Sequence, residues 1–266
     1  MKSASGIFWA AAFAAATSGC GLPLKAPKLE SVSLVSPQQA WERVLGGRID
    51  AQGRVDFDGL RKEPQDLQNF ISWIGTVSPG YDAGRFPTAA SRLAYYLNAY
   101  NAMALYTVID SDVRPADAGR FYGRVKLMIG GDLMTLEDLE SAIASLKDPR
   151  AWFALCGEAK GHPRPAGVPY SVAALEAQLD QAARAFLADP RNVVVDPKRH
   201  VVRLSGYLQR HKRHLAAGAA SLLAYVNRYR DDKVPESYKV EFLPFDWTLN
   251  AQKEDRPVAA SGPNLH

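Results

Sequence analysis

LAYYLNAYNAMALYTVI, residues 93–109, carries apolar side chains on every side of a helical projection. Leu93, Tyr96, Tyr100 and Met103 fall on one side, and Tyr95, Leu97, Ala102, Leu105 and Ile109 on the others. A helix without a polar face belongs inside a protein or a membrane. A stretch this short, interrupted by Asn98 and Asn101, makes a poor bilayer span, so it reads as a buried central helix. The two asparagines lie three apart and share a face, and buried amides need partners. They either tie neighbouring loops to the core or line a pocket, which makes both candidate binding residues.

The segments around this helix are arranged to cover it. Residues 38–45 predict a helix stopped by Gly46-Gly47, and residues 67–77 an amphipathic one with Leu67, Phe70, Ile71 and Ile74 on a single face. Gly130-Gly131 between two short apolar runs predicts a hairpin, and Thr135 with Asp138 a capping box that opens a helix over 136–146. Residues 172–187 predict an amphipathic helix capped by Ser171. Residues 193–195 and 201–204 predict a second hairpin, 207–215 and 221–229 two helices, and 238–245 a strand. Helices outnumber strands and the strands come as hairpins. The expected fold class is therefore α+β, helices around a buried central helix with small antiparallel sheets.

With 47% apolar and 23% charged residues, the 266-residue chain has ordinary globular composition, and a net charge of +4 is too small to argue for nucleic acid. Two cysteines exclude a disulfide framework. Lys2 followed by the apolar run 7–16 and then Thr17-Ser18-Gly19-Cys20 resembles a bacterial lipoprotein leader. Residues 1–19 would be a signal peptide and Cys20 the lipid attachment site. Residues 20–37, with Pro23, Pro27 and Pro37, would form an extended tether, 38–250 the domain and 251–266 a flexible tail. The resemblance implies a bacterial envelope protein held to the membrane by lipid, and Gly21 after the cysteine implies the outer membrane, facing the periplasm.

Four stretches in order resemble the Domain of Unknown Function 547 family. They are Tyr96-Leu97-Asn98-Ala99-Tyr100-Asn101-Ala102, Leu136-Glu137-Asp138-Leu139-Glu140, Asp148-Pro149-Arg150 with Phe153-Ala154-Leu155, and Phe245-Asp246-Trp247-Thr248-Leu249-Asn250. The His and Cys residues of that family imply thiol-dependent chemistry and a papain- or transglutaminase-like scaffold. This chain departs from the pattern at its polar centre. Trp152 stands where the family has His, Cys156 where it has Asn, and Gly157 where it has the first Cys. His162 replaces the second Cys, and Ser141 a further His.

A thiol nucleophile needs a base or a positive field to form its thiolate. Cys156 has Lys160 and His162 nearby in sequence, and Glu158 or Glu140 as carboxylates to orient an imidazole. The candidate catalytic set is therefore Cys156, His162 and Glu140, and the candidate binding set Asn98, Asn101, Lys160 and Asp246. The competing reading makes Cys156 a small apolar residue at the end of a buried strand over 152–155. His211 and His214 are spaced to share a helix face, but they sit in a basic run and no third ligand supports a metal; a solvated face is expected there. No metal and no cofactor is expected. The favoured reading is a non-catalytic domain, a pseudoenzyme that binds a peptide, a glycan or an envelope protein. The alternative is a cysteine-dependent hydrolase or transferase acting on peptide or cell-wall substrates through Cys156.

Overall fold

A computed structural model describes residues 22–24, 27, 35–111 and 113–253. The chain runs β1 (Leu22–Pro23), α1 (Pro37–Arg48), α2 (Phe57–Lys62), α3 (Gln65–Thr76), α4 (Ala89–Asp110), α5 (Ala118–Gly123), β2 (Val125–Ile129), β3 (Asp132–Met134) and α6 (Leu136–Ser145). It continues through α7 (Leu175–Ala188), β4 (Val193–Asp196), β5 (Val201–Leu204), α8 (Gly206–Arg210), α9 (Lys212–Leu215), α10 (Leu222–Arg228) and β6 (Lys239–Phe242). Short 3-10 turns lie at Ala83–Arg85 and Pro149–Ala154. The fold is α+β, as the pattern of segments predicts.

The all-round apolar stretch is the middle of α4, and every residue from Ala99 to Val108 is buried. Thr88 starts the helix with a capping box to Ser91, and the packing of α2, α3, α6 and the Pro149–Ala154 turn against it explains why no face is polar. The Gly130-Gly131 turn joins β2 to β3 with both glycines at positive φ, where side chains are disfavoured. Thr135 caps α6 through Asp138 as expected. The second hairpin forms between β4 and β5.

Several expectations are corrected. Helix α1 does not stop at Gly46-Gly47; it continues to Arg48, whose guanidinium meets Asp56 and Glu63, and only then does Ile49 turn extended to bridge Val55. Helix α7 starts after Ala174 without a side-chain cap, three residues later than a Ser171 cap requires, and Ser171 N–H donates to the Gln178 side chain. Residues 152–154 belong to a 3-10 turn rather than a strand: Pro149 at its start and the Asp148 carboxylate on the Arg150 N–H set that geometry. The expected helix over 207–215 breaks at His211 into α8 and α9. Both three-stranded sheets contain one parallel pair, β1 with β2 and β5 with β6, besides the antiparallel hairpins.

The backbone of 22–24 is no free tether, since it pairs with β2 and Leu24 N–H donates to Lys126. Cys20, the leader and residues 254–266 lie outside the described residues. Among the described residues no helix is long and apolar enough to cross a membrane.

The segment after β6 closes the fold. Leu243 N–H donates to Leu204 O (2.8 Å), Lys160 N–H to Thr248 O (2.8 Å) and Gly161 N–H to Asp246 O (2.9 Å). Asn250 N–H donates to Glu158 O, Val55 N–H to Asn250 O and Gln252 N–H to Val55 O. Residues 243–252 therefore run as a seam between the 158–161 segment and Val55.

Candidate functional site

The two asparagines of α4 are structural ties. Asn101 donates from Nδ2 to Ala154 O and accepts at Oδ1 from Cys156 N–H, both at 3.0 Å. Asn98 accepts at Oδ1 from Trp41 Nε1–H and Tyr170 N–H (both 3.0 Å) and donates to Ala94 O and Tyr170 O (both 2.8 Å). These contacts use the whole Asn98 amide, and one donor and one acceptor site of the buried Asn101 amide. The pair fixes the 154–156 and 170 segments against the core helix.

Cys156 follows the 3-10 turn and is 3% exposed. Burial pushes its thiol well above the ordinary range, and the neighbouring Glu158 raises it further. The other groups that feel its charge are Tyr170 and Tyr207, and no imidazole is hydrogen-bonded to the sulfur among the described residues. Cys156 and His162 are close in sequence but are not brought together as nucleophile and base.

His162 packs against Gly157 instead. A Cβ placed on Gly157 would lie 2.4 Å from His162 Nδ1 and 2.5 Å from Cγ and Cε1, so the imidazole fits only because residue 157 has no side chain. The His162 ring touches Tyr122, Tyr207, Phe245 and Trp247; Nε2 is 3.4 Å from the Tyr122 hydroxyl, and Nδ1 has no partner among the described residues. Burial, and then the positive Arg210, hold its pKa down to about 3, so the ring is neutral at ordinary pH.

Glu158 is 2% exposed and neither carboxylate oxygen has a partner among the described residues; burial pushes its pKa well up. Burial disfavours the charged form that the anionic third member of a triad requires. Glu140 accepts from the Tyr100 hydroxyl at 3.2 Å and is likewise raised by burial, partly offset by Arg210. It is not hydrogen-bonded to an imidazole. The Arg210 guanidinium lies 5.4 Å from the centre of the Tyr122 ring.

The expectation of a solvated His211 and His214 face holds only for His214. His211 is buried, with its ring 4.4 Å from both Trp152 and Tyr207, because the break between α8 and α9 turns it inward; His214 stays exposed and covers Trp152 from outside at 4.5 Å. Trp152, where the family has His, is thus the slab on which two histidines rest. Burial, then Arg210, lowers His211 to about 2. Among the described residues no group of three or more His, Cys, Asp or Glu could hold a metal ion. Lys160 and Asp246 are exposed and line a cleft beside Tyr207.

Sequence reasoning missed Tyr100, Tyr122, Tyr207 and Arg210 as a group; they come from three helices and share no local pattern. It also missed the orphaned Glu158 carboxyl, because burial of one residue in an irregular segment leaves no periodic signal.

A family model described as "Protein of unknown function, DUF547" matches residues 86–187. The chain resembles that family over the central helix, the 136–140 element and the block from Asp148 to Leu155, and the terminal 245–250 stretch lies outside the match. No curated protein and no solved structure matches the chain.

Proposed function

We propose that this chain is an envelope lipoprotein, anchored through Cys20, whose domain binds a peptide, a glycan or a protein partner on a thiol-hydrolase-like scaffold without thiol chemistry. The observation that carries the reading is the state of Cys156: a buried thiol with a raised pKa, a neighbouring buried carboxyl that raises it further, and no imidazole bonded to the sulfur among the described residues. A thiolate is the attacking species, so such a group is inert near neutral pH. The Gly157–His162 pair supports the same reading. It fills with a neutral ring the positions that hold two cysteines in the family the chain resembles.

Iodoacetamide labelling tests this, with Cys156 followed by mass spectrometry of its peptide. Native protein at about pH 7.5 is expected to label at least ~100-fold more slowly than protein in denaturant. Rapid native labelling, accompanied by loss of function in a folded Cys156→Ala variant, would establish the cysteine-dependent hydrolase or transferase instead.

A further inference from the structure

Two clefts meet at Arg191 and Asn192. The smaller, about 300 Å³, is walled by Lys160, Arg191, Ser205, Phe245 and Asp246. The larger, about 590 Å³, is lined by His162 and a mostly apolar wall that includes Phe153, Ala182 and Phe186. The volumes are of the size that small ligands occupy.

Ser205, which lines the smaller cleft, carries a buried hydroxyl that nothing in the fold explains. Ser205 is 7% exposed, its hydroxyl has no partner among the described residues, and although it precedes α8 its side chain does not cap that helix. Buried hydroxyls are normally paired. Two cations line the same cleft. Lys160 has no ion pair among the described residues, and Arg191 spends Nε and Nη2 on Asp189 while Nη1 bonds to nothing described. The only acid in this wall is Asp246, whose Oδ1 accepts from Thr248 N–H. Across the two clefts Lys160, Arg164 and Arg191 face Asp189 and Asp246, with Asp189 shared by the two arginines. The single positive charge left over suits a single-charged oxyanion, while the adjoining wall suits an apolar body.

We propose that the joined clefts bind a ligand with an apolar body ending in a carboxylate, the acid held by Lys160, Ser205 and Arg191 and the body lying against Phe153 and Phe186. This deepens the binding function above and rests on it. Both a peptide C-terminus and a fatty acid carry that chemistry.

Calorimetric titration of the intact protein with N-acetyl-Leu-Phe, its C-terminal amide, decanoate and inorganic phosphate tests the assignment. At least one of the two carboxylates is expected to bind, the dipeptide acid at least ~10-fold tighter than its amide if the body is a peptide, decanoate alone if it is an acyl chain. Ser205→Ala and Lys160→Met are each expected to weaken the bound carboxylate at least ~5-fold. Ser205→Ala is also expected to melt no lower than the parent, since the hydroxyl has no partner to lose; this separates a ligand contact from a structural one. Binding of neither acid, equal binding of acid and amide without decanoate binding, tighter binding of phosphate, or unchanged affinity in Ser205→Ala would overturn the proposal. None of those results touches the reading of Cys156, which the alkylation rate decides on its own.

Discussion

Replacing Asn101 by Leu isolates what the central helix does for the site. The two side chains share a branched skeleton, with Leu the bulkier, but Leu leaves two backbone groups without partners: Ala154 C=O, which accepts from Nδ2, and Cys156 N–H, which donates to Oδ1. Both bonds are buried, and a buried polar group left unpaired costs about 1–3 kcal/mol. The expected loss is therefore roughly 2–6 kcal/mol, a fall in melting midpoint of about 4–24 °C for a domain of this size. Gln209→Leu, on an exposed position of α8, is the control and is expected to stay within about 0.5 kcal/mol of the parent. Urea unfolding followed by tryptophan fluorescence measures both. An Asn101→Leu midpoint no lower than that of Gln209→Leu refutes the argument that this amide ties the 154–156 segment to the core.

Gly157→Ala is expected to destabilise by about 1–3 kcal/mol, because its Cβ meets the His162 ring. Adding His162→Ala is expected to recover much of that loss, and a double-mutant cycle by thermal melting reads the coupling. Acid should weaken the fold through the buried imidazoles. His162 and His211, held down to about 3 and about 2, are neutral in the fold, so their stabilising contribution is complete above the unfolded pKa near 6.5 and drains away as pH falls through that value toward the folded ones. Each is expected to cost about 2 kcal/mol by about pH 5, and His211→Phe, which retains a ring against Trp152 and Tyr207, should flatten the decline in melting midpoint with pH. Cys20→Ser is expected to leave the protein unprocessed or soluble in the periplasm; fractionation with membranes at parental size removes the lipid anchor from the proposal.

The elements that were legible in the sequence are those with a periodic or local signature. The apolar circumference of α4, the Gly130-Gly131 turn and the Thr135–Asp138 capping box each carry their cause within a few residues. The helix stop at Gly46-Gly47 was misread because glycine only weakens a helix, and α1 runs through both glycines to Arg48, whose side chain pairs with Asp56 and Glu63. The strand expected over 152–155 failed for a similar reason: a short apolar run has no period long enough to separate strand from turn, and Asp148-Pro149 decides it. Of the candidate site, Cys156 and His162 were found by residue type, but the space between them was not. That space depends on the missing Cβ of Gly157 and on rings delivered by α5 and α8. The partnerless hydroxyl of Ser205 is legible only once burial is known.

The seam has a consequence for the order in which the molecule matures. Residues 243–252 are the last described part of the chain to be synthesised, yet they supply the partners of Val55, Glu158, Lys160 and Gly161. A nascent chain ending at Phe242 already contains the central helix and the elements that wrap it, but its 158–161 backbone faces water and the smaller cleft lacks the wall made by Phe245 and Asp246. Core and cleft are therefore completed at different times, the first during elongation and the second only after the final described residues are free to dock. A protease that cuts before Leu243 would loosen that wall and also uncover the core that Phe245, Trp247 and Leu249 pack against.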